Sequence, residues 1–146
     1  MIKTIKWGIL GAGKIAAKFA SDLNKTNGIE LVAVASTSFE RAQQFALNHH
    51  VRYAFGSYEE LFNVEIDVVY VATPHTYHKE YTLLCLNKGV GVLCEKPFAM
   101  DELEVNEMVA TARKNQVFLM EAMWTRFLPS TLKVQSWIAE GKIGNI

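Results

Sequence analysis

The sequence predicts an α/β fold: a doubly wound parallel sheet with helices on both faces, spread over residues 1–146 as one domain. Three observations carry this. Short apolar runs alternate with helical patterns along the whole chain, the order that builds parallel sheets through crossover helices. The first run ends in Gly11-Ala12-Gly13 and passes at once into a helix, with a small residue, Ala16, three positions after the second glycine. Each later run stops at a polar or proline-containing junction, and ligands of such sheets bind beyond the carboxyl ends of the strands.

The elements follow in order. Residues 5–10 read as a buried strand. Gly11 lets the backbone turn where a β-carbon would clash, Gly13 leaves room for close approach of phosphates, and Ala16 lets the helix pack on the strand. The free N–H groups and the dipole at the helix start favour an anion. Strand, G-x-G-x-x-A and helix together are the Rossmann fingerprint of a dinucleotide pyrophosphate site; the glycines alone also fit an ordinary strand-to-helix turn. The helix opens at Lys14, turns Ile15, Ala16, Phe19 and Leu23 inward, and ends at Asn27-Gly28. Residues 31–35 form a second strand. Ser38 caps a second helix with Phe39, Ala42, Phe45 and Ala46 on its inner face, which completes a β-α-β unit.

Residues 51–55 read as a short strand, and Ser57-Tyr58-Glu59-Glu60 as a capping box carrying Leu61 and Phe62. Residues 67–72 are a strong strand broken by Thr73-Pro74. Tyr77, Tyr81, Leu84 and Cys85 form the apolar stripe of a helix that ends at Gly89. A strand at 90–94 meets Glu95-Lys96-Pro97, where proline stops a central strand. Asp101 to Glu104 form another capping box, before a helix that buries Val105, Met108, Val109 and Ala112. Residues 117–120 are the last strand, and 127–140 a final helix stopping at Gly141.

Composition narrows the function classes. Fifteen basic and fifteen acidic residues cancel, which argues against a nucleic-acid footprint or a basic membrane-binding face. No apolar run reaches the length of a transmembrane helix, and the N-terminus leads into a strand rather than a signal peptide. Cys85 and Cys94 lack metal or disulfide spacing and fit reduced thiols in a cytoplasm, with Cys85 packed among leucines.

The strand ends carry the chemistry. After the second strand stand Ser36, Thr37 and Ser38, with no acid before Glu40. An acid there would bind ribose hydroxyls in an NAD site, whereas these hydroxyls with Arg41 suit a 2′-phosphate and hence NADP; NAD stays open. The plainer alternative leaves Ser38 as a helix cap and Arg41 as a solvated residue. At Glu95-Lys96-Pro97, a lysine in a partly desolvated cleft can exchange a proton with a hydroxyl that becomes a carbonyl; a surface lysine beside a turn proline is the alternative. His49 and His50 end a helix at the surface. His75 and His78 face the predicted cleft at i, i+3, but no third ligand stands near them, so no metal site is assigned.

Gly11-Ala12-Gly13-Lys14-Ile15-Ala16, Ala72-Thr73-Pro74 with His78, and Glu95-Lys96-Pro97 together resemble the N-terminal domain of the glucose–fructose oxidoreductase and inositol dehydrogenase family (Gfo/Idh/MocA). Glu121-Ala122-Met123-Trp124-Thr125-Arg126-Phe127-Leu128-Pro129 is similar to the branch of dimeric dihydrodiol dehydrogenases and NADP-dependent xylose dehydrogenases. The resemblance implies hydride transfer between a nicotinamide and a hydroxyl-bearing carbon of a sugar, polyol or diol. It implies that Gly11, Ala12, Gly13, Lys14 and Ile15 line the dinucleotide turn, that Ser36, Thr37 and Arg41 lie near the adenosine ribose, and that Thr73, Pro74 and His78 border the cofactor. Glu95 then sits on the nicotinamide side, Lys96 handles the proton, and Trp124 and Arg126 approach the nicotinamide end. Many members carry arginine at the position of Thr37, which weakens the NADP preference, and asparagine at that of His75. Family members continue into a second domain that supplies substrate contacts and usually a homo-oligomer interface. The chain therefore reads as part of a longer enzyme whose final helix, with Trp137 and Ile138, exposes apolar surface to that domain; a complete small nucleotide-binding protein is the alternative. Two other readings are a non-catalytic NAD(P)-binding module or redox sensor, and a nucleotide user such as a methyltransferase; the Glu-Lys-Pro and Trp-Thr-Arg stretches argue against the last.

Overall fold

The computed structural model describes residues 4–145; Met1, Ile2, Lys3 and Ile146 lie outside the described residues, and so does the start of the segment expected to lead into the first strand. Six strands form one sheet: β1 (Ile5–Leu10), β2 (Ile29–Ala35), β3 (Tyr53–Phe55), β4 (Val68–Val71), β5 (Gly91–Cys94) and β6 (Leu119–Glu121). Every pairing is parallel, and the order is β3-β2-β1-β4-β5-β6. The chain thus builds outward from β1 in one direction, then returns and builds outward from β4 in the other. The crevice at the carboxyl ends of β1 and β4 is the switch point of such a sheet.

Parallel strands are covered on both faces, so both faces must be apolar. Successive side chains alternate accordingly. Ile9 and Tyr70 face a core with Ala16 and Ala20 of α1 (Lys14–Leu23) and Ala42 and Phe45 of α2 (Phe39–His49). Leu10, Val69 and Val71 face the opposite core, with Cys85 and Leu86 of α3 (His78–Asn87) and Ala112 of α4 (Glu102–Asn115). A fifth helix, α5 (Pro129–Ala139), starts with proline in its first turn and buries none of its residues. Trp137 and Ile138 are exposed on it, as the sequence leads one to expect.

Several local expectations shift. α1 ends at Leu23 rather than at Asn27-Gly28, because Thr26 folds back to Asp22 through its hydroxyl (3.0 Å) and to Leu23 through its N–H (2.9 Å). Ser38 caps α2 by accepting from the N–H of Arg41, but Phe39 is exposed and its Cβ flanks Gly56. At 57–60 only the glutamate half of the capping box forms: Glu60 Oε2 accepts from the N–H of Ser57 at 3.2 Å, ahead of a 3-10 turn at Glu59–Asn63. Asp101 caps α4 by accepting from the N–H of Glu104 (2.9 Å). The expected final helix divides into a 3-10 turn at Trp124–Phe127 and α5. The largest difference is α3, whose buried residues are His78, Thr82, Cys85 and Leu86, while Tyr77 is exposed and Tyr81 and Leu84 are half-buried. The polar His78 can turn inward because a ring N–H can donate to a backbone carbonyl oxygen there.

Candidate dinucleotide site at the strand ends

The turn after β1 is fixed by its own backbone. Gly11 has φ +98°, and a Cβ there would lie 2.6 Å from the carbonyl oxygen of Ala72. Its N–H donates to the carbonyl of Ala35 (2.9 Å), and the N–H of Ala72 donates to the carbonyl of Leu10 (2.8 Å), so the ends of β2, β1 and β4 are tied edge to edge. Gly13 is the N-cap of α1 and has no side chain to cap it. A Cβ on Gly13 would project into open space, with nothing within 4 Å. The first amides of α1, like those of any helix, lack intrahelical acceptors and are available to an anion.

That open space belongs to a cavity of about 560 Å³. Gly11, Ala12, Gly13, Ser36, Thr37 and Arg41 line it, with Ala72, Thr73 and Pro74 from the end of β4. Ser36 is buried, and its Oγ accepts from the N–H of Ser38 (3.4 Å). Arg41 donates from Nη2 to Thr37 Oγ1 (2.9 Å), which holds its guanidinium beside the strand end. Glu40, the first acid after β2, accepts from the Ser38 hydroxyl (2.7 Å), and this hydrogen bond holds its carboxyl below the usual range.

Thr73 and Pro74 also line a second cavity of about 270 Å³, with Ile15, His78, Glu95, Lys96 and Trp124. His78 is 1% exposed. Its Nδ1 lies 2.7 Å from the carbonyl of Pro97 and its Nε2 3.0 Å from that of Thr73, so the ring joins the ends of β4 and β5. Glu95 is 7% exposed. Its Oε1 accepts from the Tyr70 hydroxyl (2.5 Å) and its Oε2 from the N–H of Lys96 (3.0 Å). Burial first, then the hydrogen bond and charge of Glu95, push the Tyr70 phenol far above its ordinary range, so the proton stays on tyrosine and Glu95 is the acceptor. Tyr70 is held in turn by stacking on Phe19 of α1, ring centroids 4.0 Å apart.

The structure thus brings together thirteen of the fifteen sequence-assigned residues in two adjoining cavities. Lys14 and Arg126 are exposed and line neither. Five further residues line the cavities: Tyr58, Ala72, Tyr77 and Tyr81 in the first and His75 in the second. Tyr58 packs edge-on against Tyr81 at 4.5 Å, and Tyr77 lies 6.1 Å from Tyr81. Their signal was available, since two tyrosines at i, i+4 directly after Thr73-Pro74 stand at a strand end. The apolar stripe claimed them for the core instead. Both cysteines are buried; burial raises the Cys85 thiol and pushes Cys94 up to about 12. Among the described residues, no group of three histidines, cysteines or acids could hold a metal, and no helix is long and apolar enough to cross a membrane.

Two features test whether a dinucleotide fits. The space over Gly13 would be filled by a Cβ and is left open. The Thr73 hydroxyl, in a residue that lines both cavities, is buried and has no hydrogen-bond partner among the described residues. Both suit a polar ligand that runs from one cavity to the other. A 3-2-1-4-5-6 parallel sheet with this turn at its switch point defines a dinucleotide-binding domain.

Comparison with known proteins specifies which. Residues 5–123 match the oxidoreductase family with an NAD-binding Rossmann fold (GFO_IDH_MocA), and the chain belongs to this family. It is 44% identical over 144 residues to the trans-1,2-dihydrobenzene-1,2-diol dehydrogenase of Xenopus tropicalis, covering 97% of this chain and 44% of that protein. The human enzyme of the same name is 43% identical over 145 residues, at 97% and 43% coverage. A 3-ketoreductase from Actinomadura kijaniata, crystallised in complex with NADP, superposes with a TM-score of 0.92 at 29% identity, covering 99% of this chain and 46% of that one. The myo-inositol 2-dehydrogenase of Lactobacillus plantarum gives a TM-score of 0.90 at 26% identity, covering 99% and 43%. The chain spans less than half the length of these relatives.

Proposed function

We propose that this chain is the cofactor-binding half of an NADP-dependent dehydrogenase that acts on a hydroxyl-bearing carbon of a sugar, polyol or diol. The carrying observation is the pair of adjoining cavities, which puts a phosphate-compatible glycine turn at one end and a Glu-Lys pair at the other. The relatives' names supply the substrate class: a dihydrodiol, an inositol and a keto compound. The remainder of the enzyme is a second domain that completes the substrate pocket, covers the apolar face of α5 and forms a homo-oligomer in the cytoplasm.

In this reading the cofactor lies across the sheet ends. Ser36, Thr37 and Arg41 receive the adenosine ribose and its 2′-phosphate; Arg41 offers planar, paired donors to that group. NADH binds more weakly, since the nearest acid, Glu40, is turned to Ser38. Gly11, Ala12, Gly13, Lys14 and Ile15 receive the diphosphate, and Thr73, Pro74 and His78 the following ribose. When bound, the nicotinamide supplies or accepts the hydride. Lys96 takes the proton from the substrate hydroxyl on oxidation and returns it on reduction. Glu95 holds the backbone of Lys96 through the 3.0 Å bond. Trp124 and Arg126 close the outer edge.

Fluorescence titration with NADPH and NADH, followed by hydride transfer to a panel of aldoses and diols, tests this on the full-length protein and its Lys96→Met variant. The variant binds NADPH as before and loses turnover. Failure of the unaltered protein to bind either dinucleotide overturns the reading, and full turnover by Lys96→Met overturns the role of the lysine.

A further inference from the structure

Glu95 presents an unusual balance of charge. The residue is 7% exposed, yet among the described residues its side chain takes part in no ion pair. It is held by one phenol and one backbone amide, both neutral donors. Removing a carboxylate from water is costly unless it is paired, and a lone charge in such a place calls for a counter-charge. Nearby groups do not supply one within ion-pair reach. The ring nitrogens of His78 face the carbonyls of Pro97 and Thr73, and Lys96 lines the same cavity without an ion pair among the described residues. Glu95 lines the second cavity.

We propose that Glu95 is the counter-charge for the oxidised nicotinamide ring, and that it sets the preference of this site between oxidised and reduced cofactor. This rests on the dinucleotide reading above. The oxidised ring carries a positive charge and the reduced ring is neutral, so a fixed carboxylate at that end stabilises one form and not the other. The buried support matters because it fixes the charge before the cofactor arrives. Tyr70 aims its hydroxyl at Oε1 from inside the sheet, and its ring cannot turn away while stacked on Phe19. Tyr70 is therefore a positioning residue for the carboxylate, and Glu95 acts on the electrostatics of the ring rather than on the proton that Lys96 moves.

The test is the ratio of dissociation constants for NADP+ and NADPH, measured by calorimetry and by fluorescence, in the unaltered protein and in Glu95→Gln. The amide keeps the shape and removes the charge. NADP+ binding weakens about tenfold relative to NADPH, a change of roughly 1.4 kcal/mol in the difference. A parallel change in both constants, or none, overturns the proposal while leaving the dinucleotide reading intact; absence of binding in the unaltered protein defeats that reading instead. If Glu95→Gln does not fold, Tyr70→Phe decides the matter: the carboxylate keeps its charge but loses its buried hold, so NADP+ binding weakens about threefold or more relative to NADPH, and an unchanged ratio overturns the proposal.

Discussion

Replacing each turn glycine by alanine separates what holds the turn from what the turn holds. In Gly11→Ala the new carbon meets Ala72 O at 2.6 Å and Ala72 C at 2.9 Å. Both are backbone atoms of the segment hydrogen-bonded to the end of β1, so no side chain can swing away and the two strand ends must part. The φ of +98° adds strain that any L-residue feels. Left-handed strain costs about 1–2 kcal/mol and overpacking about 1–3 kcal/mol, which places the expected loss near 3 kcal/mol. At roughly 3–4 °C per kcal/mol for a domain of this size, Tm falls by about 10 °C. Gly13→Ala behaves oppositely. Its φ of −93° is ordinary and its added methyl meets nothing, so Tm stays the same or rises, since alanine narrows the unfolded ensemble by about 0.4–1 kcal/mol. The methyl instead occupies the space over the helix start, and NADPH binding weakens between about tenfold and a hundredfold. Thermal melting by circular dichroism and titration of NADPH fluorescence read the two effects separately. The clash argument is refuted by a Gly11→Ala protein that melts within about 2 °C of the parent. The site argument is refuted by a Gly13→Ala protein that binds NADPH unchanged.

Three further outcomes are expected. Arg41→Ala weakens NADPH about tenfold and leaves NADH within threefold, because only the 2′-phosphate gives the guanidinium a partner of opposite charge; equal losses for both cofactors would contradict that role. Tyr70→Phe removes a buried hydrogen bond to a carboxylate and lowers unfolding free energy by about 1.5–3 kcal/mol in urea. The two thiols make stability fall with alkali. Burial raises both, Cys94 to about 12, so the folded state keeps their protons after the unfolded chain has lost them. Stability is then full below about pH 9 and declines above it, by up to about 2.7 kcal/mol per pH unit for the pair. Urea midpoints at pH 8 and 10 check this, and the double Cys→Ala variant flattens the slope.

The parts of the fold legible in the sequence are those set by local chemistry. The run from Trp7 to Leu10 is apolar on both faces because β1 is central, and the turn after it needs glycine for reasons visible in five residues. Ser38 and Asp101 cap their helices through bonds spanning three residues. What escaped depends on partners far along the chain. His78 faces the predicted cleft in the sequence, but its burial depends on backbone oxygens of Thr73 and Pro97, nineteen residues away in the latter case. That burial turned the stripe of α3 and hid Tyr77 and Tyr81 from the site. Glu95 follows the β5 run directly in the sequence, but its support by Tyr70 joins two strands and spans twenty-five residues. Neither bond leaves a periodic trace.

The strand order also explains why these side chains can serve one extended ligand. Along the sheet the neighbours run β2, β1, β4, β5. Their ends present, in that sequence, hydroxyls with an arginine, bare glycine backbone, a threonine with no internal partner, and a carboxylate beside a lysine. A phosphorylated ribose, a diphosphate, a second ribose and a redox-active ring make the same linear series. Chain order does not match this series, since β1 comes first and β2 second; spatial order does. The crossover that returns the chain from β3 to β4 sets the carboxylate-bearing half beside the glycine turn. Each zone is contributed by a different strand, so its chemistry can change without disturbing its neighbours. In the proposed function, Thr37 at the end of β2 belongs to the 2′-phosphate zone, and Glu95 and Lys96 at the end of β5 belong to the zone of the ring and the proton.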